Sequence, residues 1–110
     1  MPGGRKRMTV YHKLVRDRIP EIIEASGRRC VVRVLDDQAY LDSLHRKLEE
    51  ELQEYLTSRS LEELADLLEV AYAIAEFRGV RPEQLEQVRR EKREARSGFR
   101  RRLFLLQVSD

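Results

Sequence analysis

Apolar residues recur every three to four positions along two long stretches of this chain and cluster without helical spacing near its ends. Leu41, Leu44, Leu48, Leu52 and Tyr55 form one stripe of an amphipathic helix. Leu61, Leu64, Ala65, Leu68, Ala71, Tyr72 and Ala75 form a second stripe. Leu67, Val70 and Ile74 widen it to roughly 220° of arc. Asp36 or Asp37 is placed to cap the first of these helices, which should run to about Ser58. Ser60-Leu61-Glu62-Glu63 fits a capping box and opens the second, which should end near Arg78 with Gly79 as its stop. Pro20, with Ile19, Ile22 and Ile23, predicts a shorter helix upstream that Gly27 ends. Pro82 opens a last helix to about Ser97, with Gly98 as its stop.

Two short segments break the helical rhythm. Cys30-Val31-Val32-Arg33-Val34-Leu35 is rich in β-branched residues and reads as a strand. A strand this short needs a partner. Leu103-Phe104-Leu105-Leu106-Gln107-Val108 is the comparable segment. The expectation is a small two-stranded β element that closes the chain's ends over the helices. The fold class is therefore mainly α: a bundle of about four helices plus this β element.

The polar positions carry the chemistry. Glu50-Glu51-x-x-Glu54 lies on the first long helix and Glu63-x-x-Asp66 on the second. Residues three or four apart share a helix face, so Glu51 with Glu54 and Glu63 with Asp66 are two carboxylate pairs that a helical hairpin can turn toward each other. Glu51 falls roughly 40° from the line of Tyr55 and Glu54 roughly 60° further round, beside Lys47. Glu50 points nearly opposite the apolar stripe. Glu63 sits inside the second apolar arc, between Leu67 and Val70, with Asp66 at its margin. An ionised carboxylate against apolar surface needs compensation. A hard divalent cation such as Mg²⁺ supplies it, and a buried Arg or Lys would be the other solution. Glu63 has a competing use, because a capping box turns that carboxylate back onto the Ser60 amide.

Composition narrows the class. The chain has 110 residues, 38% charged and 41% hydrophobic, with a net charge of +2. That fits one domain, residues 9–110, better stabilised as an oligomer. Residues 1–8, rich in Pro, Gly and charge, are expected to form a disordered tail. No apolar run reaches membrane-spanning length and no signal-peptide core follows the basic start, so a cytoplasmic protein is expected. The single cysteine, Cys30, has no partner at zinc spacing. His12, equally alone, reads as structural. Arg89 through Arg102 carries eight basic residues, but Glu91 and Glu94 interrupt it and no aromatics interleave. A solvated helix face is the simpler reading, with nucleic acid unlikely as a partner. Beside an acidic metal site, such a segment also suits triphosphates.

Together, Lys47-x-x-Glu50-Glu51-x-x-Glu54 and Glu63-x-x-Asp66 resemble the signature of the all-α nucleoside triphosphate pyrophosphohydrolases. That superfamily includes MazG-like proteins, dimeric dUTPases and phosphoribosyl-ATP pyrophosphohydrolase. Tyr11-His12-Lys13-Leu14-Val15-Arg16-Asp17-Arg18-Ile19-Pro20 is similar to the opening of a phosphoribosyl-ATP pyrophosphohydrolase-like, MazG-related subgroup. Lys92-x-x-x-Arg96-Ser97-Gly98-Phe99 resembles its Lys…Arg-Gly-Gly-Phe stretch, with Ser97 in place of the first glycine. The resemblance covers about residues 10–108.

It implies a helical bundle that forms a dimer or a dimer of dimers through its helices. It also implies cleavage of a nucleoside triphosphate to monophosphate and pyrophosphate with Mg²⁺, for which Mn²⁺ can substitute. By resemblance and wheel geometry, Glu51, Glu54, Glu63 and Asp66 are the metal ligands. Glu50 is matched by the motif as the residue that orients water, although the wheel turns it away from the core. Lys47 flanks the site as a phosphate contact, and Lys13, Arg16, Lys92 and Arg96 are further candidates. House-cleaning of (d)NTPs or non-canonical nucleotides is the expected role. Phosphoribosyl-ATP cleavage in histidine biosynthesis, and a non-catalytic helical dimer acting as an interaction module, are the alternatives.

Overall fold

The computed structural model describes residues 8–110. Four helices follow in order: α1 (Ile19–Ala25), α2 (Asp37–Ser58), α3 (Leu61–Phe77) and α4 (Pro82–Arg96). The mainly helical class and all four helices expected from the apolar spacing are present. Of the tail expected over residues 1–8, all but the exposed Met8 lies outside the described residues.

α2 starts where Asp36 accepts a 2.9 Å hydrogen bond from the Ala39 amide, the side-chain cap that satisfies an otherwise orphaned helix donor. It ends at Arg59, whose left-handed φ of 60° turns the chain sharply. Ser60 then caps α3 by accepting from the Glu63 amide at 3.3 Å. α2 and α3 therefore form an antiparallel hairpin. At its open end Tyr40 and Phe77 meet edge to face, with ring centroids 5.8 Å apart. α4 packs on α3 alone among the helices. Within it Arg89 is bonded to Glu86 by 3.0 Å contacts, and this pair holds the Glu86 carboxyl below its ordinary range. Part of the basic run is thus neutralised within its own helix.

The core is narrow. Leu44, Val70 and Ala75 are its buried apolar residues. Leu52 and Leu56 on α2, and Leu64 and Leu68 on α3, remain exposed although the spacing assigns most of them to apolar stripes. A two-helix contact covers only part of an arc this wide.

Two expectations need correction. Among the described residues there is no strand, and the segments 30–35 and 103–108 run as irregular chain without the expected pairing. A six-residue strand is not stable without a partner, and the single chain does not bring one to either segment. The other correction concerns the end of α4. Gly98 does not take the positive φ of a stop; Ser97 does, with φ 69° and ψ −169°. No helix of the described residues is long and apolar enough to cross a membrane.

Candidate metal centre

The hairpin brings the two acidic signatures face to face. Glu51 from α2 and Glu63 and Asp66 from α3 each offer a carboxylate oxygen, and these oxygens lie within 4.8 Å of one another. Glu51 is only 5% exposed, and Glu63 and Asp66 are half-buried. Glu54 is exposed and outside this closest group, yet it lies near enough to raise the pKa of both Glu51 and Glu63. The wheel placed all four carboxylates on converging faces; the structure groups Glu51, Glu63 and Asp66, with exposed Glu54 beside them.

Burial is the first cause of the raised Glu51 pKa. The Lys47 hydrogen bond opposes it and the Glu54 charge adds to it. Glu63 is raised first by burial and then by Glu54, Asp66 and Glu51 in turn. Both shifts mark the ionised forms as unfavourable where they stand.

Cations answer part of this charge. Lys47 Nζ lies 3.3 Å from Glu51 one helical turn away. Arg16, from the segment before α1, donates to Asp66 at 2.7 Å. Four carboxylates against these two cations leave two negative charges, which is the charge of one divalent ion. The oxygens show the same deficit. Glu51 Oε2 and Glu63 Oε2 are buried with no hydrogen-bond partner, and such atoms are rare without a specific reason. The capping alternative for Glu63 is not used. The Ser60 amide instead donates to Ser58 Oγ at 3.2 Å, and this leaves the Glu63 carboxylate free for another role. An all-oxygen, net-negative group of this kind fits Mg²⁺ or Mn²⁺.

The remaining candidates separate. Glu50 lies on the other side of Lys47, in a cleft of about 10 Å³ that His12, Lys13, Ser43 and Arg46 help to line. That is room for about one water. Lys13 also stands over the Tyr11 ring, 5.3 Å from its centroid. His12 is exposed on this cleft, which places it outside any packed core. Ser43 and Arg46 escaped sequence reasoning. Their spacing from Lys47 and Glu50 on α2 was a usable signal, but only once the upstream segment is known to cross that face. Lys92 and Arg96 are exposed on α4, and no ion pair or hydrogen bond joins them to the carboxylates among the described residues.

Comparison with known proteins adds little to this geometry. No family model matches the chain. No solved structure matches it either. It is 57% identical over 42 residues to a protein of Mycolicibacterium smegmatis described as uncharacterized. That match covers 38% of this chain and 43% of the relative's length.

Proposed function

We propose that this chain is a Mg²⁺-dependent nucleoside triphosphate pyrophosphohydrolase, acting on (d)NTPs or non-canonical nucleotides. One observation carries the reading. Two buried carboxylate oxygens without partners, Glu51 Oε2 and Glu63 Oε2, belong to an acidic group left two charges negative.

Glu51, Glu54, Glu63 and Asp66 would hold the ion, whose charge would compensate carboxylates that burial and mutual repulsion disfavour in their ionised form. Bound there, Mg²⁺ would neutralise phosphate charge and polarise the phosphorus–oxygen bond under attack. Lys47 sits between this group and the Glu50 cleft, where its ammonium can shift from Glu51 to a phosphate oxygen. Lys13 and Arg46, in the same cleft, extend that cationic contact along a polyphosphate. Glu50 accepts a hydrogen bond from a water in its cleft and holds it for in-line attack. Arg16 fixes Asp66 rather than meeting substrate. We further propose that the chain works as a cytoplasmic homodimer or homotetramer.

The test is pyrophosphate release from a panel of canonical and modified nucleoside triphosphates, with phosphoribosyl-ATP included, in Mg²⁺ or Mn²⁺. Glu63→Gln and Asp66→Asn should each lose at least about 100-fold in turnover, the scale of several kcal/mol expected of metal-centred charge stabilisation. Silence across the panel, with no metal-dependent rise in melting temperature, would leave the hairpin as an interaction scaffold.

A further inference from the structure

The segments 30–35 and 103–108 lie open to solvent in the single chain. Val31 is 100% exposed, and Phe104 and Leu106 are each 87% exposed. No backbone group of either segment makes a backbone hydrogen bond. Unpaired apolar backbone of this kind is a template for another strand.

Their sequences fit each other in one orientation. Set antiparallel with Cys30 opposite Val108, Val32 meets Leu106 and Val34 meets Phe104 on a wholly apolar face. The other face is mixed: Arg33 and Gln107 stand among Val31, Leu35, Leu103 and Leu105. Charges at both ends agree with this register: Asp36 and Asp37 come opposite Arg102 and Arg101, and Arg28 opposite Asp110. The parallel alternative opposes Arg28 and Arg29 to Arg101 and Arg102, and like charges directly opposite destabilise a pair.

The whole chain has area to spare for such pairing with another molecule. It exposes 10828 Å², against about 6,400 Å² for a compact monomer of its mass. The surplus, about 4,400 Å², is several times the roughly 800 Å² that each partner buries in a standard interface. The chain extends 77 Å along its long axis, more than twice the roughly 33 Å of a 22-residue helix.

We infer that the two segments pair between two copies of this chain: residues 103–108 of one copy lie antiparallel on residues 30–35 of the other, and reciprocally. The exchange is isologous and closes on itself, so it pairs both exposed segments of each copy. It goes beyond the catalytic proposal and does not depend on it.

Disulfide trapping tests it in the full-length protein. In a Cys30→Ser background, one chain carries Val32→Cys and a separately tagged chain carries Leu106→Cys. Facing residues of an antiparallel pair stand about 4.5–5.5 Å apart at Cα, within disulfide range. Mixing and mild oxidation should give a covalent dimer whose cross-linked peptide joins positions 32 and 106. Moving the first cysteine to Val31 should abolish it, because that side chain faces the opposite way. A chain carrying both Val32→Cys and Leu106→Cys that closes on itself as a monomer would overturn the exchange. So would the absence of a 32–106 link in the mixture.

Discussion

At the residue scale, the carboxylate group is strained electrostatically and the strain has a sign. Glu51 and Glu63 both titrate above the ordinary glutamate value of 4.5. A folded-state pKa above the unfolded one means that the folded protein binds the proton more tightly. The stability this contributes is fully present below 4.5 and is lost as pH rises through the raised values. The metal-free protein should therefore melt at lower temperature as pH rises above 4.5 through those raised values. Glu51→Gln with Glu63→Gln should flatten that profile, and thermal melts across the range check it. Mg²⁺ competes with those protons, so its stabilising effect should grow with pH in the wild type and vanish in the double variant. Glu51 alone belongs to a second experiment. Gln there removes a buried charge that Lys47 only partly answers, so Glu51→Gln should raise the metal-free melting temperature while abolishing the response to Mg²⁺.

At the element scale, the helices were legible because each carries its own signal. Periodicity fixes the stripes, and Asp36, Ser60 and Pro82 mark the starts. The carboxylate group was legible for the same reason: two local patterns on two helices joined by one tight turn can converge in only one way. What the sequence could not show is where separate elements cross. The position of Arg16 against Asp66, and the cleft joining His12 to Arg46, depend on how the chain before α1 lies across the hairpin, and no local pattern encodes that. The strands failed differently: segments 30–35 and 103–108 are apolar and β-branched in part, but so short a pattern names no partner, and the described chain forms no strand at either. The end of α4 is a smaller case. Gly98 looked like the stop, yet Ser97 takes φ 69° with ψ −169°, a region essentially reserved for glycine. A side chain there costs on the order of 1–3 kcal/mol, and glycine returns roughly 0.5–1 kcal/mol of that as extra freedom in the unfolded chain. Ser97→Gly should therefore stabilise the fold by about 1 kcal/mol, a rise of about 4 °C in melting temperature. Gly98→Ala should be nearly neutral, because an added Cβ would come no closer than 3.9 Å to Arg93.

At the scale of the whole molecule, the hairpin has two apolar faces and one chain covers only the inner one. Leu52 with Leu56, and Leu64 with Leu68, are pairs four residues apart that remain exposed on the two helices, where a second hairpin would bury them. If assembly buries this surface, melting temperature must depend on protein concentration, since the oligomer's stability includes its association. A tenfold dilution then removes about 1.4 kcal/mol of apparent stability. Leu68→Lys places a charge in that surface; combined with Leu106→Lys, which breaks the strand exchange, it should shift the species seen by sedimentation from dimer or larger to monomer, with the concentration dependence gone. The acidic group makes this variant more informative than a simple disruption. Glu51, Glu54, Glu63 and Asp66 all come from one hairpin, so the monomer should still gain melting temperature on addition of Mn²⁺. Retention of that gain would mean each chain carries a complete metal centre and association serves stability and substrate enclosure. Its loss, in a variant that stays helical, would mean the centre reaches its working geometry only when a second hairpin braces α2 against α3.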